Sequence, residues 1–341
     1  MEVSVVMATY NGARFLPEQL DSLARQTCLP DELVVSDDYS TDDTREIISA
    51  FAESAPFPVR FRENRGPKGY VGNFLSGLSE AHGDVIFLSD QDDVWLKDKI
   101  AVITKLMEES HASVAVHTAR VVDQDLNPLG SLLPRITRSA TLAPGNPLDG
   151  PLKSFPLGFC LAFRREVAAF VVPRLQGYPE PFRFYFGHEM PLYWVGKALG
   201  PALYIADPLA LYRRHGANAS RGLEPRSASE ALRQGAEAYD KFAHHQLARA
   251  EFATWLLKQP GSTALPSVEA FLTHIAKTSR TRAAHLKGRA SFYREPYRLR
   301  RATRLLALLV AKGYGSRGLG GLGLTSLVKD MTHIFRRSHT P

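Results

Sequence analysis

The chain has 341 residues, of which 44% are hydrophobic and 10% aromatic, and its formal net charge is +7 at pH 7. This is an ordinary globular composition, sufficient for one large domain or two modest ones. No apolar stretch approaches the roughly 20 residues of a membrane span, and the two cysteines suggest neither a disulfide framework nor a zinc site. The first residues lack the basic and apolar regions of a secretory signal, so we expect a protein of the reducing cytoplasm.

The positive charge is concentrated towards the end of the chain. Residues 280–341 contain 14 Lys and Arg but only two acidic residues, whereas residues 1–279 contain 28 basic and 33 acidic residues. A basic segment of this kind usually meets phosphate, on nucleic acid or on anionic lipid, although a solvated helical face has the same composition.

The first ninety residues alternate between strand and helix patterns. The predicted strands are Glu2–Thr9, Glu32–Ser36, Val59–Arg62 and Val85–Leu88. Helical patterns separate them, and Ser40 or Thr41 is placed to cap the second helix. Such alternation implies parallel pairing through right-handed crossovers. We therefore predict an α/β fold with a mostly parallel central sheet flanked by helices.

Polar residues follow each of these strands. Open α/β sheets bind ligands outside the carboxyl ends of their strands, so these residues should face one crevice. A G-x-G-x-x-G motif after the first strand and a P-loop are both missing from the sequence, which argues against a dinucleotide enzyme or an NTPase. A nucleotide still fits, since Tyr10 offers a ring for base stacking and Asp37 can accept an N–H from a base edge. An ordinary half-buried tyrosine and a capping aspartate explain the same two residues.

Three carboxylates, Asp90, Asp92 and Asp93, come directly after the buried strand Val85–Leu88. Carboxylates this close repel one another, and hard divalent cations with oxygen ligands compensate them best. One interpretation is a Mg²⁺ or Mn²⁺ ion that also grips a diphosphate. The other is a solvated turn before a helix at Lys97–Ser110, with Asp93 as its N-terminal cap.

The second half of the sequence is less regular. Asn127–Pro156 is rich in Pro, Gly, Ser and Thr and predicts a long loop. His188 and Glu189 stand at the start of a predicted helix with an apolar face. The predicted strands here are Ser113–Val122, Leu157–Phe163 and Ala202–Ile205.

From about Ser227 the pattern is helical, with no strand signal. The predicted helical segments are Ala231–Leu257, Ser267–Thr278 and the basic Arg280–Lys312. We predict a basic helical region over residues 223–341. We also hypothesise that Arg280–Arg304 lies on the anionic inner leaflet of the cell membrane, with a solvated helical hairpin as the alternative.

The strand-end motifs, in this order, resemble the family 2 glycosyltransferases, nucleotide-sugar enzymes of the GT-A fold. The resemblance covers roughly residues 2–220, with the transferase domain predicted over residues 1–222. It rests on Val5–Asn11, on Val34–Asp42 and on Asp90-Gln91-Asp92-Asp93 as an aspartate-x-aspartate motif. With Tyr212–Asn218, that last motif is most similar to the rhamnosyltransferase-type branch, which acts on bacterial surface polysaccharides.

The resemblance implies roles for individual residues. Asp92 would be the main metal ligand, and His215 either a further metal ligand or a phosphate donor, with a satisfied loop histidine as the alternative. Trp95 and Phe159 would shape the acceptor surface, with a place in the core as the alternative, and His188 would orient Glu189 or line the acceptor site. The residues implied in binding the donor are Thr9, Tyr10, Asn11, Asp37, Asn73, Asp90, Gln91 and Arg214.

Three positions depart from the family pattern. Glu189 stands where Asp is usual, which lengthens the side chain by one methylene group. Arg214 stands where Gln is frequent, and its guanidinium can clamp a diphosphate. Tyr39 stands where Gly is common, which makes the shape of that turn an open question.

Glycosyl transfer passes through an oxocarbenium-like transition state, so the leaving diphosphate must be neutralised and the acceptor hydroxyl must lose a proton. The aspartates with Mg²⁺ or Mn²⁺ meet the first need. Glu189 is the predicted base for the second, and placed opposite the metal it would give in-line displacement with inversion.

The predicted function is a metal-dependent inverting glycosyltransferase. It would move a sugar from dTDP-rhamnose or a UDP-sugar to a hydroxyl of a bacterial surface glycan or lipid-linked acceptor. The alternative is a non-catalytic module that binds nucleotide sugars or carbohydrate on the same scaffold. A nucleic-acid-binding protein is disfavoured because the basic segment has no recognised binding motif and the first two-thirds of the chain is acidic.

Overall fold

The computed structural model describes residues 1–144, 150–152, 155–175, 177–216, 218, 235–316 and 320–334. The chain forms two compact units, the first within residues 1–219 and the second within residues 220–341. The exact boundary predicted at residues 222 and 223 stays a prediction.

The first unit is built on one mixed sheet of ten strands. The strands are β1 (Val3–Thr9), β2 (Glu32–Asp37), β3 (Val59–Glu63), β4 (Val85–Asp90), β5 (Val94–Trp95), β6 (Val114–Val122), β7 (Pro128–Leu133), β8 (Ala140–Leu142), β9 (Leu161–Arg164) and β10 (Ala202–Arg213). Their main order is β3-β2-β1-β4-β9-β6-β10-β5. The pairs among β1 to β4, and β6 with β10, are parallel, whereas β9 runs antiparallel to both β4 and β6.

Helices flank this sheet. They are α1 (Leu16–Ala24), α2 (Thr44–Ser54), α3 (Tyr70–Leu78), α4 (Lys99–Glu109), α5 (Arg165–Arg174), α6 (Glu180–Phe186) and α7 (Glu189–Leu199). Helix α3 packs on β1 and β2, and α4 packs on β6 and β10. The predicted α/β fold with a flanked central sheet is confirmed, and its antiparallel pairs occur where β9 and the short strands join.

The parallel register brings the polar strand ends together. Thr9 pairs with Asp37 across β1 and β2, and Ala8 pairs with Asp90 across β1 and β4. Because the interior residues of these strands are fully buried, their side chains cannot slip to another register without exposing the core. Apolar burial along the strands therefore determines which polar residues meet at their ends.

Several local predictions are corrected by the structure. Helix α2 begins at Thr44 with Asp43 at its N-cap position, so neither Ser40 nor Thr41 caps it. The predicted loop Asn127–Pro156 contains β7 and β8. In the predicted strand Leu157–Phe163, the first part forms a short 3₁₀ turn at Gly158–Cys160 ahead of β9.

The second unit is helical in its described residues. Its helices are α8 (Gly235–Leu257), α9 (Pro266–Arg294), α10 (Arg298–Val310) and α11 (Leu324–Ile334). The helix predicted at Ser267–Thr278 and the start of the basic segment Arg280–Lys312 belong to the single helix α9. Across the described residues, no helix is both long and apolar enough to cross a membrane.

A buried aspartate holds the end of the second unit together. Asp330 is completely buried, and its Oδ1 accepts hydrogen bonds from Arg289 Nε at 3.0 Å and from the Tyr293 hydroxyl at 2.9 Å. The Tyr314 hydroxyl donates to its Oδ2 at 2.7 Å. The charge of this aspartate is therefore matched by a guanidinium and its oxygens by hydroxyl donors, which joins α11 to α9.

Candidate active site

The ends of β1 and β2 form one wall of the site. The Thr9 hydroxyl donates to Asp37 Oδ1 at 2.7 Å, and Ser40 donates to Asp37 through both its hydroxyl and its backbone N–H. Asp37 is only 3% exposed. These bonds fix the carboxylate, and its Oδ2, which accepts only the Ser40 N–H, keeps capacity for a further hydrogen bond.

The side-chain amide of Gln91 forms two hydrogen bonds with the backbone of Tyr10. Gln91 Oε1 accepts the Tyr10 N–H at 2.8 Å, and Gln91 Nε2 donates to the Tyr10 carbonyl at 2.9 Å. Gly12 leaves room for this amide, since a Cβ there would lie 2.2 Å from Gln91 Oε1. The Tyr10 side chain is 57% exposed, so the ring is presented to solvent while its backbone is held. Gln91, predicted to bind the donor, positions Tyr10.

The neighbouring turn is held by polar side chains. Asn11 donates its N–H to Ser40 Oγ at 2.9 Å, and its Oδ1 accepts the Thr41 N–H at 2.8 Å. Tyr39 has a φ of 65°, in the left-handed region that favours glycine. The turn therefore keeps the backbone conformation that a glycine would adopt, with the Tyr39 hydroxyl donating to the Asn64 carbonyl at 3.0 Å.

Asn73 joins α3 to the end of β1. Its Nδ2 donates to the Thr9 carbonyl at 2.9 Å, and the side chain is 2% exposed. Its Oδ1 is buried without a hydrogen-bond partner. One end of the Asn73 amide therefore has a structural role. The predicted contact with the donor sugar or diphosphate would use the other end.

The three aspartates after β4 occupy different environments. Asp90 is half-buried, and burial together with the neighbouring Asp92 and Glu189 carboxylates raises the pKa of Asp90 to about 8. Asp93 is fully buried, and burial, with Asp92 and Asp90 nearby, raises its pKa well above the usual range. Its Oδ1 accepts the Arg213 N–H at 3.0 Å. The interpretation of Asp93 as a solvated helix cap is wrong, because α4 begins at Lys99 with Asp98 at its N-cap position.

A buried lysine lies beneath this acidic cluster. Lys99 is fully buried and donates from Nζ to the Phe159 carbonyl at 2.8 Å, and Nζ lies 3.4 Å from the centre of the Trp95 ring. Burial lowers the pKa of Lys99 to about 7, while Cys160, Asp93 and Asp90 act in the opposite direction. The neighbouring carboxylates favour the protonated form of Lys99, whereas burial disfavours it, so the lysine is only a partial countercharge.

Asp92 and His215 meet at one point. His215 Nε2 lies 2.8 Å from Asp92 Oδ2, and Asn218 Nδ2 donates to the same oxygen at 3.3 Å. Asn218 Oδ1 in turn accepts the His215 N–H at 2.6 Å. The loop after β10 is thereby folded so that its imidazole faces the aspartate.

These two residues suit a divalent cation that binds together with a diphosphate. Among the residues that the structure describes, no cluster of three or more His, Cys, Asp or Glu could hold a metal ion by itself. Mg²⁺ in nucleotide-dependent enzymes uses only one or two protein carboxylates and takes its other ligands from phosphate and water. Asp92 and His215 would fit that arrangement as the protein's share of the ligands.

Arg213 stabilises the acidic loop, a role that the sequence analysis missed. It is 2% exposed, its Nε donates to the Asp92 carbonyl at 2.9 Å, and its guanidinium also bonds Glu18. Arg214, the predicted donor-binding residue, is half-buried, and its Nη1 donates to the Tyr212 hydroxyl at 3.4 Å. The first arginine of the pair is therefore the structural one.

Glu189 is the first residue of α7, with His188 at the N-cap position, as predicted for the start of this helix. Its carboxylate turns back onto the helix N-terminus and accepts the backbone N–H groups of Glu189 and His188. Burial nevertheless raises the pKa of Glu189 to about 7. Gly187 makes room for it, since a Cβ there would lie 1.8 Å from Glu189 Oε2 and its φ is +54°.

His188 is enclosed beside this carboxylate. It is 2% exposed, and its ring stacks on Phe74 with a centroid distance of 4.1 Å. Burial lowers the pKa of His188 to about 3, so the imidazole is neutral at physiological pH. This burial favours the role of orienting Glu189, and a place of His188 in the acceptor site stays a prediction.

Tyr70 lies near both groups of acids and was also missed. It begins α3, is 45% exposed, and its hydroxyl donates to the Arg183 carbonyl at 3.5 Å. Burial and the nearby Glu189 and Asp90 carboxylates raise the pKa of Tyr70 to about 12. The carboxylates of Glu189 from α7 and Asp90 from β4 thus lie close enough to Tyr70 to interact with it electrostatically.

Comparison with known proteins agrees with this geometry. The sequence profile of the glycosyl transferase family 2 matches residues 4–171 of this chain. The chain carries a family 2 glycosyltransferase domain. The family predicted from the strand-end motifs is therefore confirmed.

Individual relatives are similar over parts of their length. An uncharacterized glycosyltransferase of Nostoc sp. is 30% identical over 64% of this chain and 66% of its own. The dTDP-rhamnosyl transferase RfbG of Shigella flexneri is 39% identical over 28% of this chain and 34% of its own. The chain thus spans between about a third and two-thirds of these glycosyltransferases.

The fold is shared with a solved structure. Crystalline S. aureus TarS, in complex with UDP-GlcNAc, superposes with a TM-score of 0.52 at 19% identity, covering 91% of this chain and 88% of that one. At this identity the likeness supports the GT-A fold, whose helical extension corresponds to the predicted C-terminal region.

Two aromatic residues of the glycosyltransferase domain are buried. Trp95 and Phe159 are 3% and 1% exposed and belong to the hydrophobic core. This burial agrees with the core alternative, and their contact with the acceptor stays a prediction. The Trp95 ring and the Phe159 carbonyl both contact Lys99. Lys99 lies on the buried face of α4 with Ile103 and Met107, and this helical spacing is visible in the sequence.

Proposed function

We propose that this domain transfers a sugar, with inversion, from a nucleotide diphosphate donor to an acceptor hydroxyl and depends on Mg²⁺ or Mn²⁺. The observation that carries the proposal is the mutual proximity of carboxylates from different elements of the fold. Burial raises the pKa of Asp90, and the nearby Asp92 and Glu189 carboxylates raise it further. Leaving-group stabilisation and base catalysis require charges on two sides of a sugar.

The donor would lie along the ends of β1, β2 and β4. Tyr10 has an exposed ring for stacking, and Asp37 has a carboxylate oxygen for the base edge. Asp92 and His215 would hold the cation, which when bound neutralises charge on the leaving diphosphate. Arg214, on the same strand end as His215, would bind a phosphate oxygen.

Glu189 would take the proton of the acceptor hydroxyl. A base works best when its pKa lies near the working pH, and burial raises the pKa of Glu189 to about 7. The carboxylate must be ionised to accept a proton, so kcat/KM should rise with pH through this pKa. His188 keeps the start of α7 in place, and its neutral ring adds no charge beside the base.

The donor is proposed to be dTDP-rhamnose or a UDP-sugar. The first is favoured by the similarity to the Shigella flexneri dTDP-rhamnosyl transferase, and the second by the TarS complex with UDP-GlcNAc. The acceptor would be a bacterial surface glycan or a lipid-linked intermediate of it. We place the protein in the cytoplasm, peripheral to the inner face of the membrane where such acceptors are anchored.

A donor screen tests this proposal. Release of nucleotide is measured with dTDP-rhamnose, UDP-sugars and GDP-sugars, each with Mn²⁺, with Mg²⁺ and with EDTA. We expect release from one donor class only, and only with a divalent cation. Tight donor binding without release in any condition would favour the non-catalytic binding module instead.

Cation binding is tested separately from turnover. Asp92→Ala should lose Mn²⁺ binding in the presence of nucleoside diphosphate, measured by electron paramagnetic resonance. Asp125→Ala removes an exposed carboxylate from the same unit and serves as the control. Equal Mn²⁺ binding by both variants would refute the assignment of Asp92.

A further inference from the structure

Helix α10 presents apolar side chains on two opposite faces. Leu305 and Leu308 are 6% and 5% exposed and pack in the core of the second unit. At about 100° per residue, Leu299, Leu306 and Val310 project from the opposite side. Their exposed fractions are 81%, 60% and 78%. The inner face is used by the fold, and the outer face is an apolar stripe along the whole helix.

A second apolar stripe lies on the neighbouring helix. Helix α11 packs against α10, and its Leu324, Val328 and Met331 are exposed to 73%, 62% and 52%. Their spacing of four and three residues places them on one helical face. Single exposed apolar residues are ordinary, whereas contiguous groups of them mark an interaction surface.

Positive charge borders the stripe of α10. Arg298, Arg300 and Arg304 are exposed, and the residues from 298 to 310 include no Asp or Glu. On the helical projection Arg298 lies on one side of the stripe, and Arg300 and Arg304 lie on the other. An apolar face with basic edges is the pattern of helices that lie in the plane of an anionic lipid surface.

We infer that helix α10 docks on an anionic bilayer, with Leu299, Leu306 and Val310 among the acyl chains and the bordering arginines on lipid phosphates. This inference rests on the membrane position proposed above. It assigns the lipid contact to helix α10 in place of the longer segment Arg280–Arg304. The earlier part of that segment lies in α9, where Arg289 is 5% exposed and bonded to Asp330. That arginine belongs to the interior of the unit.

Charge complementarity favours lipid over other occupants. A second copy packed on the same stripe would bring two rows of arginines together, and like charges this close repel. A nucleic acid would bind the arginines but leave the leucines and valine in water. An anionic bilayer satisfies both the apolar face and its basic edges.

Vesicle flotation of the full chain tests the inference. Wild-type protein is mixed with vesicles of phosphatidylglycerol and phosphatidylcholine, or of phosphatidylcholine alone, at low and high salt. We expect recovery with the anionic vesicles only, reduced by salt because the basic residues contribute through charge. The triple variant Leu299→Asp, Leu306→Asp, Val310→Asp should reduce apparent affinity by about tenfold or more.

Controls separate docking from folding and from general stickiness. Leu129→Asp with Leu132→Asp changes two exposed leucines on β7, at 54% and 46% exposure, and should leave flotation unchanged. Arg298→Glu with Arg300→Glu alters no apolar residue and should reduce recovery on anionic vesicles. Circular dichroism melting checks that each variant is folded.

Three outcomes would overturn the inference. One is equal recovery of the wild type on neutral and anionic vesicles, or none on either. Another is a concentration-dependent increase in mass by light scattering that the triple variant abolishes, which would assign the stripe to a second copy. The third is salt-sensitive binding to duplex DNA that the charge-reversed variant loses while the triple variant keeps it. Flotation needs no donor or cation, so its failure would leave the transfer proposal untouched.

Discussion

Two fully buried aspartates, one in each unit, differ in how completely their carboxylates are paired. Asp330 in the second unit is matched by the Arg289 guanidinium and by two tyrosine hydroxyls. Asp93 in the first unit accepts one backbone N–H from Arg213, and its Oδ2 has no hydrogen-bond partner among the residues that the structure describes. The first carboxylate joins two helices. The second lies near the Asp90 and Asp92 carboxylates. If positive charges fully compensated these carboxylates, the site would attract a cation less strongly.

The comparison shows what buried charge does in each unit. A buried charge whose partner is removed costs much more than the pair contributes. Asp330 is therefore a point where the fold is vulnerable. The carboxylates around Asp93 keep their mutual repulsion, with Lys99 as a partial countercharge, and such strain is typical of sites that bind or react. Substitutions at these positions test whether the buried carboxylates of the two units differ in this way.

The largest effect is expected at the site, from Glu189→Gln. Removing the base should lower kcat by about 10²- to 10⁴-fold, with the melting temperature nearly unchanged. The rise of kcat/KM with pH near the pKa of about 7 should disappear with it. Steady-state kinetics across pH measures both. Glu166→Gln, an exposed glutamate in the first turn of α5, is the control, and normal turnover by Glu189→Gln would refute the base assignment.

The next effect is on stability, from Asp330→Asn. It leaves the Arg289 guanidinium buried without its carboxylate, and we expect the second unit to lose about 3–5 kcal/mol of unfolding free energy. Urea unfolding followed by circular dichroism measures this loss. Asp240→Asn breaks the surface pair with Arg294 in the same unit and should cost less than about 1 kcal/mol. Equal losses from the two variants would contradict the buried-pair account.

Gly187→Ala should affect activity more than stability. The new Cβ would displace the Glu189 carboxylate, and a misplacement of about 1 Å can cost about 10²-fold in rate. Gly130→Ala is a matched control, because Gly130 has a φ of +74° and nothing within 4 Å of its added Cβ. Both variants place a Cβ on a residue with positive φ and therefore carry backbone strain, and only Gly187→Ala should lose turnover. Similar turnover in both would show that the contact is unimportant.

The smallest effect on stability is expected from Asp93→Asn. The amide oxygen still accepts the Arg213 N–H, and burial raises the pKa of Asp93, so the substitution replaces a carboxyl whose charged form the site already disfavours. We expect a change within about 1 kcal/mol by urea unfolding, in contrast to Asp330→Asn. A loss as large as that of Asp330→Asn would remove the distinction between the two units.

Much of this organisation could be predicted from local patterns. The buried strands β1, β2 and β4 have apolar runs that end in polar residues, and this is enough to predict a crevice and the family. The positions of His188 and Glu189 at the start of α7 followed from the apolar face of the helix behind them. The predicted metal and donor roles of Asp92, His215, Asn73 and Arg214 stay predictions.

Errors arose where long-range packing decides the outcome. Trp95 and Phe159 next to a polar motif left a sugar surface and the core as alternatives, and both residues are buried in the core. Asp93 suggested a helix cap, yet it bonds Arg213 from 120 residues away. The strands in Asn127–Pro156 were missed because their pairing with β6 and β10 outweighs a composition rich in Pro and Gly.

Apolar periodicity and charge are local properties, so the amino-acid sequence is enough to predict the first four strands with the helices between them, the acidic strand ends and the basic, helical end of the chain. Tertiary packing brings Glu189 close enough to Asp90 to interact with it, buries Lys99 near the carboxylates, and leaves Leu299, Leu306 and Val310 exposed on α10. These depend on which distant elements pack together, and packing is a property of the whole chain.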